Sequence, residues 1–173
     1  MSERAPVGTI AVEADLDLEP LLVPRDRLLE VYEHARECYP EECCGILTGA
    51  FEGSFERGVR CTNLQNRRHA TGESALDARQ AFWIDEMELL QALREAEARE
   101  QRVVAVYHSH TDAGAYLSQA DVSAALDADG LPLWPGVGHL VVSVQGGTVR
   151  SCAYFSWDEV RRSFIGRAVR EGP

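Results

Sequence analysis

The apolar run VVAVY at residues 103–107 constrains the fold more than any other part of the chain. It is rich in β-branched residues and lacks the polar alternation of a half-exposed strand, so it is typical of a strand buried on both faces. Such a strand requires helices on both sides of its sheet, which predicts a mixed α/β domain. The run is far too short to span a bilayer. The length of 173 residues suits one domain with a substantial core.

Patterns on either side of this run predict one domain at residues 20–173, preceded by a flexible acidic tail at residues 1–19. Residues 65–80 are polar and rich in turn formers, which indicates a long surface loop. In chain order, the expected elements are a strand at 21–24, a helix that ends at Pro40, a hairpin of strands at 44–49 and 55–64, a strand at 82–84, a helix at 85–99, the strand at 103–110, a helix at 118–127, a hairpin of strands at 138–144 and 148–155, and a helix at 157–169. The inner face of the helix that Asp85 caps is expected to consist of Met87, Leu90, Leu93 and Ala96.

Charge and cysteine content narrow the class of protein. The net charge of −11 argues against nucleic acid as a partner, because phosphate binding depends on clustered positive charge. The five cysteines are an odd number without a CxxC spacing, so we expect reduced thiols and no disulfide framework. The N-terminal sequence lacks a basic region followed by a hydrophobic stretch, as a secretory signal would have. These features predict a cytoplasmic protein without a membrane partner.

Two histidines stand at the end of the central strand. Side chains alternate along a strand, so His108 and His110 should share one face while Ser109 points to the other. Two imidazoles on one face are placed to share a metal ion. The alternative is that both rings merely bond loop carbonyls.

One loop later, Ser118 and Asp121 have the spacing of a helix-capping box, which alone is an ordinary structural feature. Beside a histidine pair, however, the Asp121 carboxylate can serve as a third ligand. Two imidazoles and a carboxylate suit a catalytic zinc whose fourth position holds water. Such a water needs a base, and the candidate is Glu42, just before the apolar strand at 44–49. The alternative for Glu42 is a solvated loop glutamate.

Glu42-x-x-Gly45, followed by His108-Ser109-His110, seven residues and Ser118-x-x-Asp121, resembles the JAMM motif of the MPN-plus metallopeptidases. The similarity covers roughly residues 21–155. It implies a single MPN domain with a curved mixed sheet, helices on both sides and a cytidine-deaminase-like architecture.

The resemblance also implies a role for each signature residue. His108, His110 and Asp121 would bind one zinc ion per chain, with water as the fourth ligand. Glu42 would orient and deprotonate that water and then deliver the proton to the leaving amine. Ser118 would hold the carbonyl oxygen as it becomes an oxyanion.

Several nearby residues are expected to play no direct part. Thr111 stands where many relatives have proline, but this is not a ligand position. Cys44 is expected to pack in the core. His34 and His69 lack partners at ligand spacing and are expected on the surface, and His139 is expected at a strand edge.

The compact chain is similar to bacterial family members that process ubiquitin-fold sulfur-carrier proteins. This implies hydrolysis of the peptide or isopeptide bond after a C-terminal Gly-Gly. The alternatives are a deconjugating isopeptidase of a bacterial conjugation or defence system, and a non-catalytic MPN scaffold. A zinc nucleobase deaminase is disfavoured because its HxE and PCxxC residues are absent. A homodimer is compatible with the sequence, with Trp157 and Phe164 either closing the core or contacting a second copy.

Overall fold

The apolar run at 103–107 lies in the interior of a mixed β-sheet, in a computed structural model that describes residues 9–173. The elements are β1 (Ile10–Val12), β2 (Ala14–Asp15), β3 (Leu21–Pro24), α1 (Arg25–Cys38), β4 (Cys44–Gly49), β5 (Arg57–Cys61), α2 (Gln65–Ala70), α3 (Glu86–Glu97), β6 (Arg102–Thr111), β7 (Leu117–Ser118), α4 (Gln119–Ala125), β8 (Gly138–Gln145), β9 (Thr148–Asp158) and β10 (Ser163–Gly172). The main sheet has the order β2-β10-β9-β8-β6-β4-β5, and β3 also pairs with β10. Strand β6 is parallel to β8 and antiparallel to β4. A second, two-stranded sheet pairs β1 with β7.

Helices cover both faces of the sheet, as the central strand predicted. Tyr107 of β6 packs in one hydrophobic cluster with Leu28 of α1. Its neighbour Val106 packs on the opposite face with Ala92 of α3. The mixed α/β fold class is therefore confirmed, as are the two hairpins β4–β5 and β8–β9. Within residues 9–173, no helix is long and apolar enough to cross a membrane.

The N-terminal segment is more ordered than expected. We predicted a flexible tail at residues 1–19, yet β1 pairs antiparallel with β7, and β2 pairs parallel with β10. Both strands are too short to show a period in the sequence, and they form because existing strands offer unpaired backbone groups. The part of the predicted tail at residues 1–8 lies outside the described residues.

The segment between β5 and α3 is also structured. Helix α2 occupies the start of the predicted 65–80 loop, and the predicted strand at 82–84 is reduced to a single bridge between Asn63 and Ile84. Polar side chains hold this segment: Gln65 is buried and donates to the Leu76 carbonyl at 2.7 Å, and the Asn63 side-chain oxygen accepts from the Trp83 amide at 3.0 Å. The polar residues of this segment, which suggested a solvated loop, therefore include side chains that hydrogen-bond its backbone and hold it in place.

Helix α3 begins as predicted but turns a different face to the sheet. Asp85 caps it by accepting from two backbone amides. The buried residues are Ala92 and Ala96, with Leu89 packed beside them. Leu89 and Ala92 have the same helical spacing as the predicted stripe, so periodicity alone could not choose between the two faces. The residues expected inside and found exposed are Met87, Leu90 and Leu93.

The predicted C-terminal helix at 157–169 is wrong. Strand β9 continues to Asp158, and β10 returns antiparallel to it, with Phe164 directly opposite Trp157. The two rings meet edge to face at 5.2 Å, and Phe164 is buried in a cluster with Phe155. Partners on both sides of β10 stabilise a strand there, which local helical spacing does not reveal. Of the two roles considered for Phe164, the structure shows the one in the core, although in this different element.

Candidate active site

Strand β6 places both histidines of the motif on the face covered by α3 and α4. His108 and His110 are buried, and their Nε2 atoms lie 3.2 Å apart. Ser109 points to the opposite face, where its hydroxyl accepts the backbone amide of Cys43 at 2.8 Å. The expected alternation along the strand is therefore present.

Neighbouring groups fix the orientation of the two rings. His110 Nδ1 donates to the Gly114 carbonyl at 2.9 Å, which leaves the Nε2 lone pair free to face the cluster. Phe82 stacks on His108 with ring centroids 4.5 Å apart. Tyr116 contacts His110 edge-on at 4.9 Å. Sequence reasoning assigned no role to Phe82 or Tyr116, because nothing local shows which aromatic residues face a distant strand.

Helix α4 brings Asp121 to the same point. The capping box is present: the Ser118 hydroxyl accepts the Asp121 amide at 3.1 Å and donates to Asp121 Oδ2 at 2.7 Å. The same carboxylate oxygen lies 3.2 Å from His110 Nε2 and 3.4 Å from His108 Nε2. Burial alone would raise the pKa of Asp121, but the two imidazoles hold it well below its usual range.

The spacing of these three atoms fits zinc. Two ligand atoms about 2.05 Å from a tetrahedral zinc lie about 3.3 Å from each other. The three separations among His108 Nε2, His110 Nε2 and Asp121 Oδ2 are 3.2, 3.2 and 3.4 Å. The donor set of two imidazoles and one carboxylate is also one that zinc prefers in catalytic sites.

Glu42 is buried beside this cluster and is not a solvated loop residue. Its side chain is 5% exposed, and Oε2 has no hydrogen-bond partner among the described residues. Burial, together with the negative charge of Asp121, raises the pKa of Glu42 well above its usual value. The backbone amide of Glu42 donates to the Ala78 carbonyl at 2.7 Å. A buried carboxylate without a structural partner indicates a chemical role.

Two contacts fix the loop that carries Glu42 to the end of β6. The Thr111 hydroxyl donates to the Pro40 carbonyl at 3.0 Å. The Tyr39 hydroxyl donates to the Asp112 carboxylate at 3.0 Å. Thr111, which departs from the family pattern, therefore supplies a bond to the loop that a proline could not make.

Two cavities meet at the cluster. The smaller, of about 160 Å³, is here called the polar cavity and is lined by Glu42, Arg79, Gln80, His110, Thr111, Ala113, Tyr116, Ser118 and Ala120. The larger, of about 400 Å³, is here called the apolar groove, and its lining includes Phe82, Trp83, Val106, Ala124, Leu133, Trp134, His108 and Asp121. Glu42 and Ser118 face the first, whereas His108 and Asp121 face the second.

The remaining histidines do not belong to the three-residue cluster, although His139 lines the apolar groove with His108 and Asp121. His34, expected on the surface, is buried, and its Nδ1 lies 2.8 Å from the Tyr107 hydroxyl. His69 is exposed, as expected. His139 lies near the start of β8, an interior strand, and packs edge-on against Phe164. Burial lowers the pKa of His139 to about 4.

A family model described as prokaryotic homologs of the JAB domain matches residues 24–158. The CysO-cysteine peptidase of Mycobacterium tuberculosis is 34% identical over 111 residues, which is 63% of this chain and 68% of that protein. The desampylase of Pyrococcus furiosus is 25% identical over 134 residues, 78% of this chain and 81% of that protein. The 26S proteasome regulatory subunit RPN11 of Eremothecium gossypii is 30% identical over 125 residues, 70% of this chain but 39% of that protein.

Solved structures share the fold. A solution structure of a Desulfitobacterium hafniense protein superimposes with a TM-score of 0.64 at 22% identity, covering 86% of this chain and 90% of that one. A Salinibacter ruber protein gives a TM-score of 0.54 at 24% identity, with 87% and 91% covered.

Proposed function

Because the chain belongs to the prokaryotic JAB-domain family, whose relatives above are JAMM enzymes, we propose that it is a zinc metallopeptidase acting after the C-terminal tail of a ubiquitin-like protein. The observation that carries the proposal is the convergence of His108, His110 and Asp121 beside Glu42, whose buried Oε2 has no hydrogen-bond partner within residues 9–173. A protein that only needed a structural metal would have no use for such a glutamate.

His108, His110 and Asp121 would hold the metal. Zinc in such a site lowers the pKa of a water molecule and polarises the scissile carbonyl. The residues around it determine the rest of the chemistry, since they orient the substrate and move the protons.

Glu42 is the proposed base and acid. From the wall of the polar cavity its carboxylate would take a proton from the attacking water and pass it to the leaving nitrogen. The carbon–nitrogen bond breaks as water adds, so the products are a C-terminal carboxylate and a free amine. Two hydrogen bonds hold Glu42 beside the cluster. One runs from its backbone amide to the Ala78 carbonyl, and the other runs from the neighbouring Cys43 amide to the Ser109 hydroxyl.

Ser118 is the proposed donor to the developing oxyanion. Its hydroxyl donates to Asp121 in this structure, so the hydroxyl hydrogen must turn into the polar cavity to meet a substrate oxygen. A donor of this kind is typically worth about 3 kcal/mol in the transition state.

The substrate would lie across both cavities, with the tail in the apolar groove. A volume of about 400 Å³ accommodates several residues in extended form. The relatives named CysO-cysteine peptidase and desampylase support a ubiquitin-like or sulfur-carrier substrate, and a Gly-Gly end on its tail is part of the proposal. The second of these names also favours the alternative, a deconjugating isopeptidase.

The test combines zinc content with cleavage. We expect about one zinc per purified chain, lost in His108→Ala and Asp121→Ala. A ubiquitin-fold carrier with one or two residues beyond Gly-Gly should be trimmed, as seen by mass spectrometry. Glu42→Gln should keep zinc but lose at least about a hundredfold in rate. Glu41→Gln is the matched control, because Glu41 is exposed, its side chain accepts a hydrogen bond from Asn66, and it does not line the polar cavity. Absence of zinc from the wild type, or normal cleavage by Glu42→Gln, would contradict the proposal.

A further inference from the structure

The geometry points to Arg79 as the residue that selects the leaving group, by binding the free α-carboxylate of a single amino acid released from the tail. This inference rests on the proposed function and adds the class of bond that is cleaved. It concerns the polar cavity, whose wall contains Arg79 together with Glu42 and Ser118.

The position of Glu42 decides which side of the cluster receives the leaving group. The group that protonates the leaving nitrogen must reach that nitrogen. Glu42 lines the polar cavity, whereas the apolar groove is reached past His108 and Asp121. The leaving residue therefore occupies the polar cavity, and the acyl tail occupies the groove.

The size of the polar cavity matches a small leaving group. A cavity of about 150 Å³ holds a molecule the size of benzene. The polar cavity measures about 160 Å³, which is enough for one small amino-acid residue.

Arg79 is available to bind an anion there. Its guanidinium is exposed and makes no ion pair with any described residue, whereas Arg57, Arg60 and Arg68 each pair with a glutamate. Its backbone is fixed, because its amide donates to Asp77 Oδ1 at 2.9 Å. The carbonyl of the preceding residue, Ala78, accepts a hydrogen bond from the Glu42 amide. This contact holds the backbone of Arg79 close to the proposed acid.

A guanidinium in this place distinguishes two kinds of substrate. When the leaving group is one amino acid, its α-carboxylate lies two bonds from the scissile nitrogen, and arginine can bind it with two parallel hydrogen bonds. When the leaving group is a lysine side chain within a protein, the nitrogen is followed by methylene groups and no free carboxylate is near. Arg79 therefore favours removal of a C-terminal residue over cleavage of an isopeptide bond.

The experiment compares two versions of one probe with the zinc-loaded full chain. The probe is a ubiquitin-fold carrier whose Gly-Gly end is extended by one cysteine, made either with a free carboxylate or as the carboxamide. We expect the wild type to prefer the carboxylate by about tenfold or more in kcat/KM. Arg79→Gln should lose that preference, mainly through a higher KM for the carboxylate probe, with a clearly smaller change on the carboxamide probe. Arg67→Gln is the matched control, since Arg67 is exposed on α2 outside the polar cavity, and it should change neither rate.

Each remaining outcome overturns one of the two proposals. Equal losses on both probes in Arg79→Gln, or no loss on either, would refute the role of Arg79 while leaving the peptidase intact. Equal cleavage of the carboxylate and carboxamide probes by the wild type would also refute the role of Arg79 and leave the peptidase intact. A zinc-loaded wild type that cleaves neither probe would refute the proposed function itself.

Discussion

Replacing Ser109 with alanine tests how the two halves of the site are joined. Ser109 lies between the two motif histidines but points to the face covered by α1, where its hydroxyl accepts the Cys43 amide at 2.8 Å. Cys43 directly follows Glu42, so this bond fixes the chain that carries the proposed base. Ser109→Ala should therefore lower the free energy of unfolding and displace Glu42, although Ser109 would contact neither zinc nor substrate.

The expected magnitude follows from burial. Ser109 and Cys43 are each 1% exposed, so the alanine variant leaves an amide without water or another acceptor. An unpaired buried amide costs about 1–3 kcal/mol. For a domain of this size, each kcal/mol lowers Tm by about 2–4 °C, so we expect a loss of about 2–12 °C.

Urea unfolding followed by circular dichroism measures the change in stability, and cleavage of the carrier probe measures the change in kcat. The matched control is Ser151→Ala, an exposed strand serine that should shift stability by less than about 0.5 kcal/mol. If Ser109→Ala is no less stable than Ser151→Ala, the bond does not hold the two strands as argued. If stability falls but kcat is retained, the link to Glu42 is wrong.

Three further predictions concern other parts of the fold. Gly45→Ala should lower stability by about 1–3 kcal/mol, measured by thermal melting, because a Cβ there would overlap the Tyr107 ring; an unchanged Tm would contradict this. Burial, reinforced by the charge of Arg60, lowers the pKa of His34 to about 4 from 6.5, so stability present above pH 6.5 should be lost as the pH falls towards 4, by about 1–3 kcal/mol. His34→Gln should flatten that part of the urea-measured pH profile, and an equally steep profile would exclude His34 as its source. Asp85→Ala removes the cap of α3 and should cost about 1 kcal/mol in urea unfolding, whereas a neutral result would mean that water replaces the cap.

The arrangement of the candidate site was largely predictable, because its key relations are local. Strand alternation placed His108 and His110 on one face, and the capping box placed Asp121 at the start of a helix that follows the strand. Glu42 lies far away in sequence, and only the family resemblance connected it to the histidines. The roles of these residues stay predictions until zinc and cleavage are measured.

The structural features that the sequence did not predict depend on contacts between segments that are distant along the chain. His34 looked like a surface residue because its partner, Tyr107, lies on another element. The C-terminal segment looked helical because its sequence does not reveal that β9 and β3 offer partners on both sides of it. Nothing in the sequence predicted a role for Arg79. Its proposed role depends on the cavity that it lines and on the absence of a paired carboxylate among the described residues.

The residues of the candidate site come from two distant parts of the chain, which affects the order in which the site assembles during folding. Under the proposed function, all three metal ligands come from residues 108–121, on one strand, one loop and one short helix. Glu42 joins them only when β4 pairs with β6, a contact between segments more than fifty residues apart. Loop closure over that length is slow compared with forming local structure. Under the same proposal, a folding chain would be able to hold zinc before β4 reaches β6, but it would lack its base, so hydrolysis would depend on that long-range pairing.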